Sequence, residues 1–185
     1  MRTRFLLIAV GLCAGAAPVD PDWPCQQRLV PTLTATTLWS GPAATTDWRT
    51  DPALATLVDH VADRRTDVDA ADQALQGFVN SGASPERRAA VFAGLVAQSN
   101  VERDIAVARL HDVSRRLRSL ADAAGRAATE LNALPADSPQ RAELTTRREL
   151  VIREYDSLNR TVRYSCEIPV DFEARLGRFG KILAP

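Results

Sequence analysis

The chain has 185 residues, 23 basic and 23 acidic side chains, 45% hydrophobic residues and 5% aromatics. That length fits one domain of ordinary size, and the charge and apolar fractions exclude a disordered chain or a multispan membrane protein. The zero formal net charge removes the electrostatic footprint of a nucleic-acid binder. Lys181 is the only lysine; the other basic residues are arginines. A GC-rich genome accounts for that bias, and no dense arginine run demands selection for bidentate anion contacts.

The first residues read as an address. Arg2 and Arg4 precede the apolar run Phe5–Cys13, and the small residues Ala14, Gly15, Ala16 and Ala17 follow. This is the order of a secretory signal peptide, so residues 1–16 are expected to be removed, with Ala17 as the first mature residue. The run is too short to span a bilayer comfortably. Leu12 before Cys13 departs from a lipoprotein signal. No later segment is long and apolar enough to cross a membrane, so the expected location is the periplasm.

Cysteine usage agrees with export. Cys13 leaves with the signal, and Cys25 and Cys166 remain. In an oxidising compartment the expectation is one disulfide, Cys25–Cys166, closing a loop of about 140 residues. Two free thiols or a metal site are the alternatives. Two distant cysteines without a CxxC or an adjacent histidine speak against zinc.

Residues 17–50 read as an extended strap. Pro18, Pro21, Pro24, Pro31 and Pro42 interrupt regular structure, and Trp23, Trp39 and Trp48 are all the tryptophans of the chain. One short helix fits after Thr34, ending near Trp39 before Gly41-Pro42. Arg28–Leu33 is ambiguous with a short strand. The tryptophans serve either as glue between strap and body or as an exposed platform for a glycan or peptide.

Residues 51–185 read as a helical domain. Asp51-Pro52 starts a helix, Leu54, Leu57, Val58 and Val61 give its apolar face, and it should end near Arg65. A second runs from about Asp67, with Val68, Ala71, Leu75, Phe78 and Val79 on one side, and stops at Asn80-Ser81-Gly82. Ser84-Pro85-Glu86 places a cap, a proline at the first helical position and an acid in the first turn. The next proline is Pro135, so this third helix should run from about 85 to 133, roughly 70 Å.

Its later part carries a seam with steps of four and three: Ala106, Leu110, Val113, Leu117, Leu120, Ala124, Ala127, Leu131 and Leu134. Pro135–Pro139 is a turn, with Ser138 as cap and Pro139 at the first helical position of the next helix. That helix has its own seam: Leu144, Arg148, Val151, Tyr155, Leu158 and Val162. Folded back at the turn, Leu120 faces Tyr155, Leu117 faces Leu158, Ala124 faces Val151 and Ala127 faces Arg148, large against small. The expected hairpin covers about 109–165 and places Cys166 near residue 109. A seam this regular also suits two chains, so a homodimer competes with the hairpin. Ile168-Pro169 should break the chain before a last helix from about 170, with Phe172, Leu176, Phe179 and Ile182 on one face. Gly177 and Gly180 weaken that helix. The fold class is therefore all-α: a small bundle, a long antiparallel coiled-coil hairpin and an N-terminal strap.

Few residues carry chemistry. His60 and His111 are far apart, sit in no HExxH or CxxCH frame, and read as solvated helix residues. There is no GxSxG, P-loop or GxGxxG. No catalytic, cofactor-binding or metal-binding residue is assigned. Arg109, Arg115, Arg116 and Arg118 cluster on one helix and Arg153, Arg160 and Arg163 on its partner. They form either an anion-binding belt or ion pairs with Asp112, Asp122, Glu149, Glu154 and Asp156.

Asp22-Trp23-Pro24-Cys25-Gln26-Gln27, Val30-Pro31 and Trp39-Ser40-Gly41-Pro42 resemble the opening of uncharacterised exported proteins of proteobacteria. The resemblance covers about twenty residues and implies export and a helical body, with no activity. Small periplasmic stress chaperones, helical hairpins with LTxxQ motifs, share only Leu144-Thr145; Arg148 stands at the glutamine position. The expected function is a non-enzymatic periplasmic protein without a cofactor, engaging an envelope protein partner through the hairpin or strap. The candidate contact residues are Trp23, Trp39, Trp48, Arg115, Arg116 and Arg118. A holdase chaperone and a ligand binder with a groove under the strap are the alternatives.

Overall fold

The computed structural model describes residues 20–184; the expected signal peptide, residues 1–16, lies outside the described residues. The described chain forms helices α1 (Ala35–Leu38), α2 (Pro52–Ala62), α3 (Val68–Asn80), α4 (Pro85–Ala133), α5 (Gln140–Ser165) and α6 (Glu167–Leu183), and a 3₁₀ turn at Trp48–Thr50. Among the described residues there is no strand, and the all-α expectation holds.

Local chemistry sets most of the ends. The Asp51 carboxylate accepts from the backbone N–H groups of Ala53 and Leu54, and Asp67 does the same for Asp69 and Ala70. Each satisfies donors that have no partner inside the first turn. Ser84 Oγ accepts from Arg87 N, with Pro85 at the first helical position. Gly82 closes the turn after α3 with φ +84°, where a side chain would be strained.

Three boundaries differ from expectation. α2 stops at Ala62, short of Arg65, because the Asp63 carboxylate accepts from Arg65 N at 2.9 Å and offers the backbone an alternative to the helix. α5 begins at Gln140, and the Ser138 side chain caps nothing; Pro139 already has helical dihedrals. Instead, Arg141 caps the opposite helix: its Nη1 donates to the carbonyls of Leu131 and Leu134 at 2.7 and 2.9 Å. Finally, α6 starts at Glu167 and contains Pro169. A proline in the first turn removes no intrahelical bond, so the chain bends at Cys166 rather than breaking after Ile168.

The base of the molecule is a bundle of α2, α3, α6 and the first part of α4. Its core joins Leu54, Val58 and Val61, Ala71 and Leu75, Val91, Phe92, Leu95 and Val96, and Leu176, Phe179 and Leu183. From this base α4 and α5 project as an antiparallel hairpin around the Pro135–Pro139 turn. All nine positions of the first seam, from Ala106 on α4 to Leu134 just past its end, are buried or half-buried, as are the six expected on α5. Ala127 is buried and Arg148 half-buried, its Nε enclosed without a protein partner.

No helix of the described residues is long and apolar enough to cross a membrane.

Candidate functional site

The strap has few backbone partners of its own, so its polar groups must be satisfied by the body. It runs down α4 from the hairpin towards the base, and each step has a partner. Asp22 lies against Arg115 and Arg118, one turn apart on α4. Arg115 Nη1 donates at 2.9 Å, and Arg118 Nη2 reaches the second oxygen. Arg118 Nη1 also donates to Pro21 O at 3.0 Å. Those two guanidiniums, Arg115 first and Arg118 next, hold the Asp22 carboxyl below the usual carboxylate range; Asp22 in turn raises Arg115.

Cys25 and Cys166 form a disulfide with a Cα–Cα distance of 5.6 Å. Gln27 Nε2 donates to the Cys166 carbonyl. The next contacts replace the strand that Arg28–Leu33 left open. Asn100 on α4 forms a two-way clamp, accepting from Leu33 N and donating to Leu33 O, both at 2.9 Å. The amide and carbonyl of Leu33 are therefore satisfied by a side chain instead of a ladder.

Arg103, one turn further along α4, is 1% exposed and the largest fully buried side chain. Its Nη1 donates to Pro31 O and its Nη2 to Glu173 Oε1 on α6, each at 3.4 Å. Its Nε has no hydrogen-bond partner among the described residues. A cation in this position ties strap, α4 and α6 together, and removing Glu173 would leave it buried and less compensated.

The three tryptophans divide into different environments. Trp48 is 6% exposed inside the base core and is therefore closed to a partner. Trp39 stacks on Phe92 at 5.0 Å between centroids, and its N–H donates to Pro42 O. Gly41 lies so close beneath the Trp39 ring that a Cβ would fall 2.2 Å from it. Trp23 packs on the hairpin cluster of Leu110, Leu117 and Val162, and its N–H donates to Gln27 O at 2.7 Å. All three act as glue between strap and body.

His60 is exposed, as expected. His111 is not the solvated residue that the sequence pattern indicates. It is half-buried under the strap, with Trp23 edge-on at 6.1 Å and Asp20 Oδ2 3.1 Å from its Nε2. Among the described residues Nε2 has no hydrogen-bond partner.

Of the arginine cluster, Arg115, Arg116 and Arg118 are ion-paired, whereas Arg109, Arg153, Arg160 and Arg163 form no salt bridge among the described residues. Arg116 pairs with Glu154 across the hairpin, and Arg115 with Asp112 along α4. Asp22, the acid shared by Arg115 and Arg118, comes from the strap rather than the hairpin. Helix periodicity gives no sign of a partner 93 or 96 residues away.

A cleft of about 670 Å³ runs beside the strap, with Pro24, Cys25 and Gln27 on one side and Asn159, Arg163 and Glu167 on the other. The tryptophans do not line it. Among the described residues no three His, Cys, Asp or Glu side chains gather as a metal site would require. The chain matches no protein-family model, no curated protein and no solved structure.

Proposed function

We propose that this protein is an exported, non-enzymatic accessory protein of the bacterial envelope that engages a protein partner through the distal hairpin, about residues 118–158. The observation that carries this reading is the division of labour along α4. Up to Arg118 the helix is covered by strap, α2 or α6; beyond it, among the described residues, the hairpin packs on itself. A self-supporting pair of helices offers two outer faces to a partner at no cost to the base core. Leu150, 56% exposed on α5, lies on such a face. Arg115, Arg118, Trp39 and Trp48 belong to the mounting of the strap, so the contact surface lies further out than those residues. The signal-like opening and the disulfide support export.

The test is site-specific photocrosslinking in living cells, with the crosslinker at Leu150 or, as a control, at the exposed Gln73 of α3. The expected result is one discrete adduct from position 150, absent from position 73, in the periplasmic fraction of cells whose mature chain begins near Ala17. Equal labelling from both positions, or an uncut chain in the cytoplasm, overturns the reading.

A further inference from the structure

At the foot of the hairpin, α4, α5 and the start of α6 enclose a cleft of about 250 Å³. It lies away from the strap. The strap meets Asn100, Arg103, His111 and Arg115 of α4, whereas the cleft is lined by Glu102, Ile105, Ala106 and Arg109. At 3.6 residues per turn these are opposite faces of the helix.

The floor is apolar: Ala106, Leu110 and Val162 are buried there, and Ile105 forms a wall that stays 44% exposed. The two hydroxyls of the α5 wall are already used. Thr161 Oγ1 donates to Ser157 O and Ser165 Oγ to Thr161 O, so neither donor is free for a ligand amide. The rim carries two guanidiniums, Arg64 and Arg109, against the single carboxylate of Glu102. Neither arginine forms an ion pair among the described residues. Arg64 lies 5.3 Å over the Phe172 ring, which holds it beside the opening.

An apolar slot with an excess of cationic charge at its mouth fits an amphipathic anion. A peptide is a poor fit, because the floor leaves its amides desolvated and unpartnered. A cavity of about 150 Å³ accommodates benzene, so this volume suits a chain of roughly eight to ten carbons. We propose that the cleft binds a single-chain fatty carboxylate, its tail against Ala106, Leu110 and Val162 and its head at Arg109 and Arg64. This reading is independent of the hairpin's protein partner.

Titration calorimetry of the full mature chain with octanoate, and with octan-1-ol as the uncharged counterpart, tests it. A charge-assisted contact predicts that octanoate binds about tenfold more tightly. Arg109→Gln should bring the two within about twofold, because Arg109 is exposed and its loss spares the fold. Ala106→Leu, which fills the floor, should abolish binding of both; its circular dichroism and melting temperature report whether it folds. Equal affinity of the wild type for acid and alcohol overturns the proposal. So does an unchanged preference in Arg109→Gln, full binding by a folded Ala106→Leu, or tighter binding of the tripeptide Ala-Ala-Leu than of octanoate.

Discussion

Two glycines of α4 separate tertiary packing from helix propensity. A Cβ at Gly94 would meet the Trp48 ring and Val58 Cγ2 at 2.9 Å, closer than real side chains approach. At Gly125, on the same helix, it would meet nothing within 4 Å. Replacing glycine by alanine in a helix interior gains about 1 kcal/mol at both sites. At Gly94 that gain is opposed by overpacking against a rigid indole, which costs about 1–3 kcal/mol; with Trp48 held in the core, the upper part of that range applies. Gly94→Ala should therefore lose about 1–2 kcal/mol and Gly125→Ala gain about 0.5–1. For a chain of this size the melting temperatures should fall by about 3–6 °C and rise by about 2–3 °C, respectively. Differential scanning calorimetry of the oxidised mature chain reads both. The propensity contribution is common to the pair, so their difference isolates the contact with Trp48. If both variants shifted stability in the same direction by the same amount, the placement of Trp48 over Gly94 would be wrong. Gly180→Ala extends the test, because its Cβ would fall 2.6 Å from the Leu38 carbonyl oxygen, a backbone atom with little room to yield; it should be more damaging than Gly94→Ala.

Three further outcomes follow from the strap. Asn100→Ala leaves both backbone groups of Leu33 unpaired and should cost about 2 kcal/mol in urea unfolding, with faster hydrogen exchange at the Leu33 amide; unchanged exchange there would count against the clamp. Asp22 is held ionised by Arg115 and Arg118, so its folded pKa lies below its unfolded one. Its contribution is present above the unfolded value, about 3.9, and is lost as pH falls through the lower folded value. Trp23 fluorescence should report strap loosening over that acid range in the wild type, and Asp22→Asn should already be loosened at neutral pH; identical profiles refute the pairing. Cys25→Ser with Cys166→Ser should lower stability by about 2–5 kcal/mol, given the long loop that the bond closes. Urea unfolding of the double variant and of the reduced wild type should agree, and a loss under about 1 kcal/mol would mean that the side-chain clamps hold the strap alone.

The helical layout was legible because its signals are local. Asp51-Pro52, Asp67 and Ser84-Pro85 mark helix starts through bonds to the next two or three residues. The nine-position seam of α4 needs only its own spacing to be recognised, and the cysteines only the compartment. Pro169 misled because proline forbids a helix interior but not a first turn; whether Ile168 ends a helix or lies within a new one depends on what α6 packs against. Ser138 misled because Pro139 already has helical dihedrals and stands at the N-cap position of α5, so the serine lies one residue too early to cap the helix.

By itself, then, the chain's residue order determined the helices and the antiparallel hairpin, which follow from periodicity and from a few residues' backbone preferences, and the cysteine pair, which follows from the count of cysteines. Tertiary structure alone decided the contacts on which the strap and the candidate sites depend. The pairing of Asp22 with Arg115 and Arg118, the clamp of Asn100 on Leu33, the burial of Arg103 and the meeting of Arg64 and Arg109 at the apolar cleft join residues far apart in the chain. The same holds for Gly177 and Gly180: both weaken α6 equally as a sequence pattern, yet one faces open space and the other a backbone carbonyl. Local patterns record what a residue prefers, whereas its neighbours in space are set by how the helices and strap pack.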